Sequence, residues 1–339
     1  MSKNYTVALF GAGRIGNVHA RNVFDHAETT LKYVIDPVEG PARDLAARCG
    51  ATHVDEATAL SDRTVDAIVV CSLTSTHAEL IEKGLKAGKA VFCEKPIDLS
   101  IDRVAACLES IKDCPPPLFV AFNRRFDPGV AEMRRRIEAG DIGELELVTV
   151  VSKDPGALPI EYLKSSGGMF RDMTIHDFDM VRFILGEEPM TVTATASTLT
   201  DPAIAAEGDI DTACVTLQCA SGRIAVITNS RRASFGYDQR VEAHGALGTL
   251  RTENVPNHML VQERDDGVLR SKPKFFFTDR YAESYRNEWA HFVRVLRGEE
   301  KPNSTGIDGH RALLLAEAAY ESLASGRRVE VAQIGTAQR

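Results

Sequence analysis

The chain has 339 residues, more than one ordinary domain accommodates, so two domains are expected. Its 44% hydrophobic and 26% charged content is ordinary for a globular protein in water, and a net charge of −8 argues against nucleic-acid binding, which calls for a basic stripe. No apolar run approaches the roughly 18 residues that a membrane span needs, so no membrane partner is expected.

The apolar run Val7-Ala8-Leu9-Phe10 predicts a strand that feeds Gly11-Ala12-Gly13-Arg14-Ile15-Gly16 and then a helix from Asn17 to Phe24. A glycine pattern alone is weak; between a strand and a helix it is strong. Gly11 permits the tight turn, Gly13 lets the backbone approach a pyrophosphate, and Gly16 lets helix and strand pack closely. The helix N-terminus, with Arg14 and Ile15, offers unpaired N–H groups to phosphates. A second strand, Leu31 to Ile35, ends in Asp36, twenty residues after Gly16. A carboxylate there accepts hydrogen bonds from the ribose hydroxyls of NAD and repels the 2′-phosphate of NADP.

Helices at 42–49, 77–87 and 101–111 then alternate with strands at 67–71, 90–93 and 118–122. Continuous apolar strands between helices indicate a parallel sheet covered on both faces, with ligands at the carboxyl ends of its strands. Besides Gly11 and Asp36, that rule gives priority to Ser72, Thr74, Glu94, Lys95, Asn123 and Arg124, and puts His77 at the border of the cofactor.

After about residue 125 the character changes. A helix at 130–138 carries the basic run Arg134-Arg135-Arg136, read as a solvated face or a subunit contact. Strand-like segments follow at 145–151, 191–198, 212–219, 223–230, 239–244 and 259–263, with Ala220-Ser221-Gly222 as a tight turn. Short connections imply a largely antiparallel sheet. The fold class is therefore α/β followed by α+β, divided at 1–123 and 124–339, with helices at 285–296 and 309–324 completing the second domain or returning to the first. The seven cysteines are irregularly spaced, which suggests buried reduced thiols in a cytoplasmic protein with no targeting segment.

Two groups of residues carry chemistry. Glu94-Lys95-Pro96 puts Lys95 at the carboxyl edge of the parallel sheet, where an ammonium can stabilise alkoxide charge; a surface ion pair with Glu94 explains the position equally well. In the stretch from Phe170 to Leu185, read as one helix, Asp172 and His176 are four apart and share a face. A carboxylate beside an imidazole makes a base able to take a proton from an alcohol. A helix surface pair is the bland alternative. The spacing also suits a metal, but no cluster of histidines or cysteines completes a site, so no metal is expected.

The Gly-x-Gly-x-x-Gly turn, Glu94-Lys95-Pro96, the segment Phe122 to Asp127 and Gly168…Asp172…His176-Asp177 together resemble the glucose–fructose oxidoreductase / inositol dehydrogenase (Gfo/Idh/MocA) family, over nearly the whole chain. Ser152-Lys153-Asp154-Pro155, Tyr237 to Glu242 and Asp279-Arg280-Tyr281…Tyr285 resemble its inositol-oxidising members. The resemblance implies an N-terminal Rossmann domain, NAD as cofactor, a cyclic polyol substrate such as myo-inositol, and a homotetramer built through the C-terminal sheet. It assigns Lys95, Asp172 and His176 to catalysis, and places Arg124, Asp154 and Tyr237 with them around the substrate. Leu73 and Gly156 depart from its pattern. Rival readings are a scyllo-inositol or aldohexose dehydrogenase, a hydrolase or lyase that uses NAD transiently, and an NAD-sensing regulator without catalysis.

The position of Asp36, followed by Pro37 and not by a basic residue, predicts higher kcat/KM with NAD than with NADP. Asp36→Ala narrows the gap mainly by weakening NAD. Steady-state kinetics with both cofactors checks this, and equal use by the wild type contradicts the role given to Asp36.

Overall fold

The computed structural model describes residues 3–156 and 159–334. They form two compact units, one from the residues up to Asn123 with Ser284–Leu313, the other from Arg124–Glu283 with the residues from Leu314 onward.

In the first unit β1 (Tyr5–Phe10), α1 (Arg14–Asp25), β2 (Thr29–Ile35), α2 (Glu39–Arg48), β3 (Thr52–His53), α3 (Glu56–Ser61), β4 (Ala67–Val70), α4 (His77–Lys86), β5 (Ala90–Glu94), α5 (Ile101–Ile111) and β6 (Leu118–Ala121) follow in turn. The strands pair in parallel in the order β3-β2-β1-β4-β5-β6, the Rossmann arrangement. Every residue of β4 and β5 is buried, which is why both read as unbroken apolar runs. The edge strand β3 has two residues and no apolar pattern, so periodicity misses it.

The second unit begins with α6 (Pro128–Glu138), β7 (Leu145–Lys153), α7 (Ile160–Ser166), α8 (Met169–Asp172), α9 (Ile175–Leu185), β8 (Pro189–Ser197) and α10 (Pro202–Ala206). It continues through β9 (Thr212–Cys219), β10 (Ile224–Ser230), β11 (Asp238–Gly245), β12 (Gly248–Arg251), β13 (Val261–Arg264), β14 (Gly267–Arg270) and α11 (Phe277–Arg280). Its described residues form a seven-stranded sheet, β12-β11-β7-β10-β9-β8-β15, whose last strand is Val329–Glu330. All its pairs are antiparallel except β7 with β10. Alternation along β9 buries Ala213, Val215 and Leu217 on one face and exposes Cys214, Thr216 and Gln218 on the other. Cys214 is thus an exposed thiol where a buried one was expected, and Cys114 is half-buried. The strand expected at 259–263 lies at 261–264 and pairs only with β14, in a hairpin exposed at every strand residue.

Helices α12 (Ala282–Leu296) and α13 (Gly306–Ser325) follow α11. In the first unit, Trp289 and Phe292 of α12 pack on Phe92 with ring centroids at 5.7 and 5.4 Å, and Phe92 stacks on Phe119 at 5.1 Å. The arginines of α6 pair with Glu138, Glu132 and Asp141; Arg135 and Arg136 are exposed, whereas Arg134 is half-buried and also donates to Ile184 O at 3.2 Å.

The helix predicted from Phe170 to Leu185 is two helices, α8 and α9, joined through Met173 and Thr174. Thr174 is fully buried and donates from Oγ1 to Asn229 Oδ1 at 2.8 Å. Its N–H reaches back to Met169 O while that of Asp177 closes a tighter loop on Thr174 O, so tertiary anchoring overrides helical periodicity. Met173 and Thr174 keep right-handed dihedrals, and the chain still makes about one turn between Asp172 and His176.

Candidate active site

In the first unit the glycine turn has a steric cause at each end. Gly11 has φ +102°, and a Cβ there would lie 2.4 Å from Cys71 O at the end of β4. A Cβ on Gly16 would lie 1.9 Å from Gly11 O. A Cβ on Gly13 would meet nothing within 4 Å, so the backbone faces open space at the N-terminus of α1. No side chain caps that terminus and no acidic residue occupies its first turn. Gly13 and Arg14 are exposed and Ile15 is half-buried. An oxygen-rich diphosphate fits these donors. The Asp36 carboxylate accepts from Ala12 N–H at 2.7 Å and Val38 N–H at 2.8 Å, which fixes it beside the turn.

Around the ends of β4 and β5 the expected residues divide. Ser72 shares a hydrogen bond with Thr76 (2.6 Å), and Thr74 begins the short turn that contains Thr76. His77 is buried, with Nδ1 2.8 Å from Pro96 O and Nε2 3.1 Å from Ser72 O. It ties the two loops together, and burial lowers its pKa. Glu94 is likewise buried, with Oε1 2.7 Å from His19 Nε2. Lys95, by contrast, is half-buried, ahead of a cis bond to Pro96, and Asn123 is buried.

In the second unit Arg124 is buried and donates from Nη1 to Asp177 Oδ1 at 2.5 Å and from Nη2 to Tyr237 Oη at 3.5 Å. The other oxygen of Asp177 accepts from Asn229 Nδ2 at 2.7 Å. Burial alone would weaken the charge on Arg124, yet the facing Tyr281, Asp177, Tyr237 and Asp154 raise its pKa, so it stays cationic. Burial pushes the phenols of Tyr237 and Tyr281 upward, leaving neutral hydroxyls.

Asp154 leaves the end of β7 and donates its N–H to Ser230 O at 2.9 Å. Burial of its carboxyl pushes its pKa up to about 7; Asp172 and Asp177 push the same way, while Arg231 and Arg124 oppose. Asp172 accepts from Tyr162 Oη at 2.8 Å on Oδ1 and from Arg231 Nη1 at 3.4 Å on Oδ2. His176 is half-buried in the first turn of α9. The unit thus brings Asp154, Asp172, Arg124 and Tyr237 into one connected electrostatic group. Sequence reasoning missed Tyr162, Asn229 and Arg231. Arg231 carried a usable signal, a charged residue immediately after a strand.

Residues 5–122 match a family described as "Oxidoreductase family, NAD-binding Rossmann fold", and residues 134–331 match its "C-terminal alpha/beta domain". The chain is 48% identical to an inositol 2-dehydrogenase of Rhizobium meliloti, over 96% of this chain and 98% of that protein. It is 40% identical to a myo-inositol 2-dehydrogenase of Thermotoga maritima, over 97% and 99%. The crystal structure of a scyllo-inositol dehydrogenase from Lactobacillus casei, with bound NAD(H) and scyllo-inositol, superposes with a TM-score of 0.91 at 28% identity, covering 97% of this chain and 100% of that one.

The raised Asp154 has a measurable consequence. Its folded pKa of about 7 exceeds the roughly 3.9 of an unfolded aspartate, so the folded state holds the proton longer. Its contribution to stability is complete below about pH 4 and is lost as pH rises to about 7. Asp154→Asn, neutral throughout, escapes that loss. The wild-type Tm relative to the variant therefore falls between about pH 4 and 7 and levels off above. A difference that does not vary with pH contradicts the raised carboxyl.

Proposed function

Because the chain belongs to the oxidoreductase family of glucose–fructose oxidoreductase and inositol dehydrogenase, and is an NAD-dependent enzyme acting on CH–OH groups, we propose that it oxidises one secondary ring hydroxyl of a cyclic polyol, myo-inositol to its 2-keto form. The observation that carries this reading is the nearly full-length likeness to inositol 2-dehydrogenases. The polar group in the second unit supports it. Asp154, Asp172, Tyr237 and Arg124 supply hydrogen-bond donors and acceptors, which suits several adjacent hydroxyls.

When bound, NAD supplies the hydride acceptor. Gly11, Gly13, Gly16 and the start of α1 hold its diphosphate, and Asp36 its adenosine ribose. His176 takes the hydroxyl proton at an imidazole nitrogen. Asp172, itself held by Tyr162 Oη, orients that imidazole and stabilises its protonated form. The Lys95 ammonium stabilises the charge that grows on the substrate oxygen. Asp154 and Tyr237 grip neighbouring hydroxyls, and Arg124 keeps Asp177 and Tyr237 in place.

A second reading, scyllo-inositol as the preferred ring, is favoured by the Lactobacillus casei complex. We place the enzyme in the cytoplasm as a homotetramer. The uncovered face of β9 and the exposed Met259, Leu260, Val268 and Leu269 around the β13–β14 hairpin support self-association through the second unit.

The deciding experiment measures NADH formation with myo-inositol, scyllo-inositol, glucose and a linear polyol. Efficient turnover is expected with myo-inositol and poor turnover with the linear polyol. His176→Ala is expected to lower kcat by about 10²–10⁴-fold. Negligible turnover of both inositols beside efficient turnover of another substrate overturns the assignment.

A further inference from the structure

Arg231 has no exposed side-chain surface. It follows β10 directly, and its N–H donates to Asp211 O at 2.8 Å, which fixes the chain as it leaves the sheet. The parallel pairing of β10 with β7 sets Ser230 beside Lys153, so Arg231 and Asp154 leave the same end of neighbouring strands. Nη1 lies 3.4 Å from Asp172 Oδ2, and Nη2 lies 3.6 Å from Asp209 Oδ2. Among charged groups, Arg231 is also the strongest influence opposing the upward shift of Asp154. One guanidinium therefore faces three carboxylates.

Both distances exceed the roughly 2.7–2.9 Å of a tight charge-assisted bond. Arg231 thus acts less as a clamp on one partner than as a shared positive field in a buried setting, where such a field is weakly screened. Tyr162 Oη donates to Asp172, and Met169 N–H donates to Asp209 Oδ1 at 3.0 Å. Asp154 also faces Arg124 and Asp177. Tyr320, whose phenol burial keeps neutral, faces Asp209 and Arg231; Arg171 stands over its ring and pairs with Glu317. His176 lies one turn beyond Asp172.

We propose that Arg231 is a positioning residue for dehydrogenation, a single buried guanidinium set between Asp172 and Asp209 that supplies the positive field behind the proposed pair of Asp172 and His176. This rests on the assignment of Asp172 and His176 to catalysis. A carboxylic acid at Asp172 would no longer stabilise the imidazolium that forms as the substrate loses its proton. Removing the cation favours protons on both Asp172 and His176, whereas the active form needs the first ionised and the second neutral. Both effects push the acid limb of the activity profile to higher pH.

The test is the pH dependence of kcat/KM for myo-inositol with NAD in wild type, Arg231→Met, Arg231→Lys and Asp209→Asn. Loss of one close opposite charge shifts a carboxyl by about 1–3 pH units, so the Arg231→Met limb is expected to move up by about 1 unit or more. Along the limb that is about tenfold lower kcat/KM per unit. Arg231→Lys keeps the charge and should return the limb close to its wild-type position. Asp209→Asn removes a competing negative charge, retains an acceptor for Met169 N–H, and should move the limb downward, which provides a readout should Arg231→Met fail to fold. Limbs unmoved in both Arg231→Met and Asp209→Asn, or in Asp209→Asn when Arg231→Met does not fold, overturn the proposal. His176→Ala separates the two levels. Full activity there removes the catalytic assignment and the proposal with it, whereas an inactive His176→Ala beside unmoved limbs removes the Arg231 proposal alone.

Discussion

The buried contact between Arg124 and Asp177 is the constraint around which the second unit is arranged. Removing both charges from water is costly, and their attraction offsets the cost only when the remaining lone pairs and donors also find partners. Here they do. Asn229 donates to the second oxygen of Asp177, and the Arg124 guanidinium also meets Tyr237 Oη and lies over the Tyr281 ring. Asn229 in turn accepts from Thr174, so the end of β10, the start of α9 and the first residue of the unit are joined through one polar core. Breaking one member of such a pair leaves an uncompensated buried charge, worth about 3–5 kcal/mol.

That core coincides with the break between α8 and α9. Thr174 and Asp177, three positions apart at the start of α9, both reach Asn229. The joint at Met173 and Thr174 gives up regular hydrogen bonding locally in exchange for buried side-chain bonds. Asp172 and His176 sit on either side of it, so the geometry of the proposed catalytic pair is set by packing behind it and not by helical periodicity alone.

What was legible in the sequence follows from this contrast. The Rossmann strands are buried on both faces, and a two-sided burial leaves an unbroken apolar signature; β4, β5 and β6 could be placed almost to the residue. The glycine turn was legible because steric exclusion at Gly11 and Gly16 admits no other residue. Short polar elements such as β3 and α7 left no pattern, since they are too short to show an apolar period. The partners of Asp172 were hidden for another reason. Tyr162 and Arg231 lie 10 and 59 positions away from it, and only the folded chain brings them to its carboxylate. His77 and Glu94 show the opposite case: expected just after strands, they stand at the start of α4 and the end of β5, and their side chains turn inward, on Pro96, Ser72 and His19.

Asp36 holds two backbone N–H groups, one from the glycine turn and one from the residue that caps α2. The discrimination proposed for Asp36 and the shape of the glycine turn thus rest on the same two oxygen atoms. A lineage drifting toward the phosphorylated dinucleotide by exchanging this residue for one without an acceptor also orphans two donors and loosens the turn from β2. An exchange that keeps an acceptor oxygen at this position spares those donors, whereas one that removes it leaves them to water or to a neighbouring side chain. A change of coenzyme in this scaffold is therefore coupled to the supports of Asp36 as well as to Asp36 itself.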